Sequence, residues 1–156
     1  MTESVASTRD LTTRHRRIAF DSNVLIYLLE GNDARAEAVA SVIDDLAADG
    51  SSGVLASIGV TEVLAGPARK DDPVGFEMLA AALRDLGFAN PVLDAAAAED
   101  AAWIGGRTGA RLPDAVHLAC ARTAGATAFL TNDRRIRSRR GLEVVYLDDL
   151  LGTGQM

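Results

Sequence analysis

The stretch "RRIAFDSNVLIYLLE", Arg16 to Glu30, decides how the rest of the chain is read. Its apolar start, "RIAF" (17–20), is short and stops at an acid, the pattern of a buried strand. Asp21, Ser22 and Asn23 follow in succession, and "NVLIYLLE" resumes at once with helical spacing. A strand that passes straight into a helix is the β-to-α step of an α/β protein. Here the step carries a carboxylate at the end of a core strand.

The same alternation continues outward. "GVLA" (53–56), "TAFL" (127–130) and "LEVVYL" (142–147) are further strand candidates. "GFANPVL" (87–93) is a fifth that Pro91 confines to an edge or an irregular extended run. Helical patterns lie between them. Asp33 and Asp72 are placed to cap two of these, and Pro73 and Pro113 suit first turns. "SIGVTEVLAG" is expected to end at Gly66-Pro67. Near-continuous apolar strands separated by helices predict a mainly parallel sheet covered on both faces. The expected fold class is α/β: a three-layer α/β/α sandwich around a central sheet of four to five strands.

At 156 residues, with 48% hydrophobic and 24% charged residues, the chain reads as one globular domain. Residues 1–16, rich in Ser, Thr and Arg and without the apolar middle of a signal peptide, read as a flexible N-terminal extension. Residues 17–151 then form the folded domain and 152–156 a C-terminal tail. No apolar run approaches a membrane span. The single cysteine, Cys120, excludes an internal disulfide and fits the cytoplasm. A formal net charge of −6 argues against a protein held to nucleic acid by bulk positive charge alone. Only one of sixteen basic residues is a lysine, Lys70, and no GK[ST] phosphate loop is present. No GxGxxG follows the first strand, which removes a dinucleotide-binding reading. A phosphatase with Asp21 as nucleophile would need a second aspartate where Asn23 stands.

In open parallel sheets the functional crevice lies at the carboxyl ends of the strands. Asp21 ends the first strand, and Asp133 follows "TAFL" in "FLTNDRR". Glu62 lies in the helix after "GVLA", and Asp114 in the first turn of "LPDAVHLACA". Each acid alone also has a structural reading, as helix cap, dipole partner, solvated residue or turn former. Together they are harder to place. Two carboxylates roughly 4–5 Å apart repel by about 3–4 kcal/mol at an effective dielectric near 20. Several such pairs would strain a total stability of about 5–15 kcal/mol, so protons or cations must compensate. His15 falls in the extension and His117 inside an apolar helix, which leaves an all-oxygen ligand set. Such a set selects Mg²⁺ or Mn²⁺, and metal-assisted phosphodiester hydrolysis is its natural chemistry. "DRRIRSRR" (133–140), with Arg107 and Arg111, is a candidate bank of an RNA groove.

Four motifs in order, "FDSNVLIYLL", "SIGVTEVL", "LPDAVHLACA" and "FLTNDRRI", carry a resemblance. From Arg17 to about Leu150 the chain resembles the PIN domain, in particular the VapC-type toxins of bacterial toxin–antitoxin pairs. The resemblance implies a Mg²⁺- or Mn²⁺-dependent endoribonuclease, with Asp21, Glu62, Asp114 and Asp133 as its catalytic and metal-holding residues. Ser22, Asn23, Thr131 and Asn132 are expected to hydrogen-bond around them. It also implies RNA as substrate, a small cognate antitoxin as partner, a homodimer and no membrane attachment. Ser22 stands where many members carry Thr, a change that keeps the hydroxyl. The segment before the first strand is longer than most members have. The rival reading is a PIN-fold RNA- or protein-binding module that does not cut.

Overall fold

The computed structural model describes residues 4–151. The elements in chain order are α1 (Thr8–Arg14), β1 (Ile18–Phe20), α2 (Ser22–Glu30), α3 (Ala34–Ala48), α4 (Ser57–Arg69) and α5 (Pro73–Asp85). They continue as α6 (Ala95–Thr108), α7 (Leu112–Thr123), β2 (Ala128–Thr131), β3 (Glu143–Tyr146) and α8 (Leu147–Leu151).

β1, β2 and β3 form a parallel sheet in that spatial order. Among the described residues these are the three full strands, fewer than the four to five expected. The two missing ones are present as single bridges. Val54 pairs with Ala19, and Ala89 pairs with Val54, both in parallel. Their ladder bonds are sound: Phe20 N–H donates to Val54 O at 2.8 Å, and Leu55 N–H to Ala89 O at 2.9 Å. Pro91 lacks the N–H that would extend the outer one. Gly53 is squeezed as well, since a Cβ there would stand 2.7 Å from the rings of Phe20 and Phe88. Counting the bridges, the five extended segments run 3-2-1-4-5 across the sheet. That is the doubly wound order, with the reversal falling between β1 and β2.

The alternation of strand side chains divides the core into two. Ile18, Phe20, Ala128, Leu130 and Val145 face a cluster built with Leu25, Val39, Leu46 and Leu147 from α2, α3 and α8. Ala19, Phe129 and Val144 face Ala101, Ile104, Ala115 and Leu118 from α6 and α7. This is the expected three-layer sandwich. Helix starts follow the predicted caps: the Asp33 and Asp72 carboxylates accept the N–H groups of Ala36 (3.2 Å) and Gly75 (3.0 Å).

Two expectations are corrected. α4 does not stop at Gly66-Pro67 but runs to Arg69, with Pro67 inside the helix and buried. Gly66 has no side chain to crowd the proline ring, so the turn closes around it. The N-terminal segment is not a free extension over its described part. Ser7 caps α1 by accepting the Asp10 N–H at 3.0 Å, and Leu11 is fully buried in the first core cluster. His15 then ties the segment to the sheet, with Nε2 2.7 Å from Glu143 and Nδ1 2.8 Å from Thr127. Two apolar side chains, Val5 and Leu11, and the contacts of Thr12 with Asp45 and of His15 with Thr127 and Glu143 order a segment whose composition resembles a linker. The proposed tail, 152–156, lies outside the described residues.

Candidate metal-binding active site

The reversal between β1 and β2 leaves a crevice at their carboxyl ends, and Asp21 opens into it. Its backbone N–H still donates to Leu130 O at 2.9 Å, so the residue leaves β1 in register with β2. Asp21 is 6% exposed, and its carboxylate makes two short bonds. Oδ1 accepts the Ser22 N–H at 2.8 Å, capping α2, and Oδ2 accepts the Thr131 hydroxyl at 2.7 Å. Asn23 reaches the same group, with Nδ2 3.4 Å from both Asp21 Oδ2 and Thr131 Oγ1. Asn23 Oδ1 in turn accepts the Asn132 N–H at 3.3 Å. The expected hydrogen-bonding residues thus form one network around Asp21. Burial lifts this carboxyl above its ordinary range, against the pull of His117, Thr131 and the Ser22 N–H.

Glu62, halfway along α4, and His117, in the middle of α7, converge on it. One ligand atom from each of Asp21, Glu62 and His117 lies within 4.8 Å of the other two. His117 Nε2 is 2.5 Å from Glu62 Oε1 and 3.7 Å from Asp21 Oδ1. The hydrogen bond to His117 holds the Glu62 carboxyl below its usual range despite partial burial. Burial alone would depress the imidazole, but the Glu62 hydrogen bond and the charges of Asp21, Glu62 and Asp114 raise it overall.

Asp114 and Asp133 stand beside this trio and are tied to arginines. Arg111 bridges them, at 3.2 Å to Asp114 Oδ2 and 3.6 Å to Asp133 Oδ2. Arg135 forks onto both oxygens of Asp133, at 2.9 and 2.8 Å, and holds that carboxyl below its usual range. A cleft of about 230 Å³ opens next to Asp114, bordered by Arg111, Arg135, Arg137 and Arg139. The preceding "GGRTG" is a helix stop, as the sequence indicates: Gly109 takes φ +70° and its N–H bonds Gly105 O.

Of the four acids named from the sequence, Asp21 and Glu62 have ligand atoms in the tight cluster, while Asp114 and Asp133 are joined to each other through Arg111. His117 is the residue the sequence reading set aside as a core histidine. The signal for it was present, because Asp114 and His117 are three apart and share one face of α7. The donor set fits a divalent cation. Two carboxylates this close, one of them buried, could be offset by a cation beside the one imidazole.

A doubly wound α/β/α sheet with an acid cluster at its switch point defines a class of site built for cations and phosphates. A family profile for the PIN domain matches residues 18–142, and the chain belongs to the PIN domain family. Two solved structures share the fold. A toxin–antitoxin complex from Klebsiella pneumoniae aligns with a TM-score of 0.59 at 20% identity, over 80% of this chain and 94% of that one. VapBC2 from Rickettsia felis, bound to a DNA fragment from its promoter, aligns at 0.63 and 12% identity, over 83% and 98%. Comparison by sequence with curated proteins gives no match.

Proposed function

We propose that this protein is a Mg²⁺- or Mn²⁺-dependent endoribonuclease and the toxin of a toxin–antitoxin pair. The observation that carries the reading is the approach of Asp21 and Glu62 to within 4.8 Å in a crevice where Asp21 is buried. Asp21, Glu62, Asp114 and Asp133 are the ion-holding and catalytic acids, with Asp21 and Asp114 as principal ligands. A bound ion supplies the charge that offsets these acids and the scissile phosphate, and it lowers the pKa of a water. Glu62 or Asp133 would orient that water or take its proton on a carboxylate oxygen. Thr131, Ser22 and Asn23 hold Asp21 in one rotamer throughout. Asp133, whose oxygens are held by Arg135, would be a further ligand position, and Arg135 a group able to meet a phosphate.

The arginine-bordered cleft supports RNA as the substrate, since an acidic protein must gather cations locally to hold a polyanion. The two structural relatives, titled as toxin–antitoxin and VapBC assemblies, support a small antitoxin as partner. Exposed Val74 and Met78 on α5 support a homodimer. Among the described residues no helix is long and apolar enough to cross a membrane, which suits action in the cytoplasm. The test is cleavage of total RNA by the purified chain with Mg²⁺, with EDTA, and as Asp21→Asn and Asp114→Asn. Full activity in EDTA or in either variant removes the mechanism.

A non-cutting PIN module is the second reading. It is favoured by one observation, the Arg135 fork that fills both oxygens of Asp133. It predicts ion binding without turnover.

A further inference from the structure

His117 touches the site without an obvious task in it. The residue is 2% exposed, and its ring lies edge-on to Phe129, with centroids 6.0 Å apart at 61°. Gly59 makes room on another side, because a Cβ there would stand 3.0 Å from the ring's Cε1. Nε2 points at Glu62. Nδ1 is buried and has no hydrogen-bond partner. That second nitrogen decides between two roles.

An imidazole that binds an ion through Nε2 must carry its proton on Nδ1, and such rings nearly always donate that proton to an acceptor. No acceptor meets Nδ1 here, so the proton would be stranded in an apolar pocket. The bare Nε2 would also face a carboxylate oxygen, lone pair against lone pair, at 2.5 Å. Two neighbouring ligands of one octahedral Mg²⁺ stand about 2.9 Å apart, so the contact is also too close for a shared ion. With a proton on Nε2 the lone-pair clash vanishes. Glu62 then receives a donated N–H, and the approach at 2.5 Å is a charge-assisted hydrogen bond.

We propose that His117 is a positioning residue: its Nε2–H aims the Glu62 carboxylate into the crevice, and the ring is not itself an ion ligand. The proposal rests on the ion-site reading above. Glu62 sits on a helix surface and needs such a guide. The Asp21 carboxylate is fixed by Ser22 and Thr131 without help from the ring.

The test uses the full chain as wild type, His117→Leu and His117→Gln. Mn²⁺ binding is followed by calorimetry, and imidazole protonation by long-range ¹⁵N–¹H NMR of the wild type. Leucine fills the pocket without donating, whereas glutamine can present an N–H near the Nε2 position. The expected result is a loss of Mn²⁺ affinity of at least about tenfold in the leucine variant and its recovery in the glutamine variant. An equal loss in both variants, or none in leucine, overturns the proposal. The NMR arm stands apart from folding of the variants and from metal. A wild-type ring protonated at Nε2 supports the assignment, and one protonated only at Nδ1 overturns it. Should the wild type bind no Mn²⁺, the ion-site reading fails, and the positioning role, which is defined by that ion, is overturned with it even if Nε2 proves protonated.

Discussion

Replacing Asp21 by Asn separates the acid's part in folding from its part in function. Its ligand oxygen and that of Glu62 are at most 4.8 Å apart, which corresponds to about 3.5 kcal/mol or more of repulsion at an effective dielectric of 20. Glu62 is more than a third exposed, so solvent reduces this to on the order of 1–2 kcal/mol. Attraction to His117 returns part of it, but burial outweighs that attraction, as the raised Asp21 pKa records. Asparagine removes the charge and keeps the geometry. Its carbonyl can accept the Ser22 N–H that caps α2, while the Thr131 hydroxyl, whose oxygen already accepts from Asn23 and Asp133, loses its acceptor. In EDTA the variant should therefore melt within about 2–4 °C of the wild type, since the relieved repulsion and the lost Thr131 bond are each about 1 kcal/mol. Saturating ion should separate the two. At a hundred times its Kd a ligand stabilises by about 2.7 kcal/mol, roughly 5–10 °C here, and the variant should lose that gain. Paired calorimetric melts with EDTA and with Mn²⁺ measure both. A variant that melts well below wild type in EDTA, or that keeps the full Mn²⁺ shift, refutes Asp21 as a charge held for an ion.

Three further outcomes are expected. Leu11→Ala should cost about 2–5 kcal/mol by urea denaturation, since the side chain is fully buried. A cost under about 0.5 kcal/mol, the size of an ordinary surface substitution, would return the N-terminal segment to a loose extension. Without metal, the Glu62–His117 pair should stabilise most between the lowered carboxyl and the raised imidazole values. Stability should fall as pH drops through the Glu62 value and as pH rises above the ordinary imidazole range through the raised one, and a urea midpoint flat on the alkaline side counts against it. Arg137→Ala and Arg139→Ala should each weaken RNA binding across sequences and lower the salt slope by about one, read by filter binding at several salt concentrations; unchanged slopes would remove the cleft as an RNA groove.

What the sequence made legible is what local rules decide. Near-continuous apolar runs in "RIAF", "TAFL" and "EVVY" marked strands covered on both faces, and strand ends located Asp21 and Asp133. What it hid depends on contacts across the chain. Val54 and Ala89 pair through one bridge each, because Gly53 sits under two aromatic rings and Pro91 has no N–H, facts of packing that a strand-like run does not reveal. Leu11 looked isolated among Ser, Thr and Arg, although Ser7 and Asp10 already had the spacing of a helix cap. His117 looked like core because its sequence neighbours are core.

The same long-range contacts explain why the four acids are not equivalent. Asp114 and Asp133 are answered by Arg111 and Arg135, and Glu62 by His117. Asp21 has its nearest cationic group at 3.7 Å, beyond hydrogen-bond reach, and is the most buried of the four. Donor groups of the chain therefore meet three acids within hydrogen-bond or ion-pair distance, while the imidazole stands farther from Asp21. On the proposed reading, a cation would gain most beside Asp21, and Arg111 and Arg135 would be the groups a phosphate competes for. The carboxylate at the end of the first core strand is thus held in the fold by its cap and hydroxyl bonds, and on the proposed reading a bound ion would favour its charged form against burial.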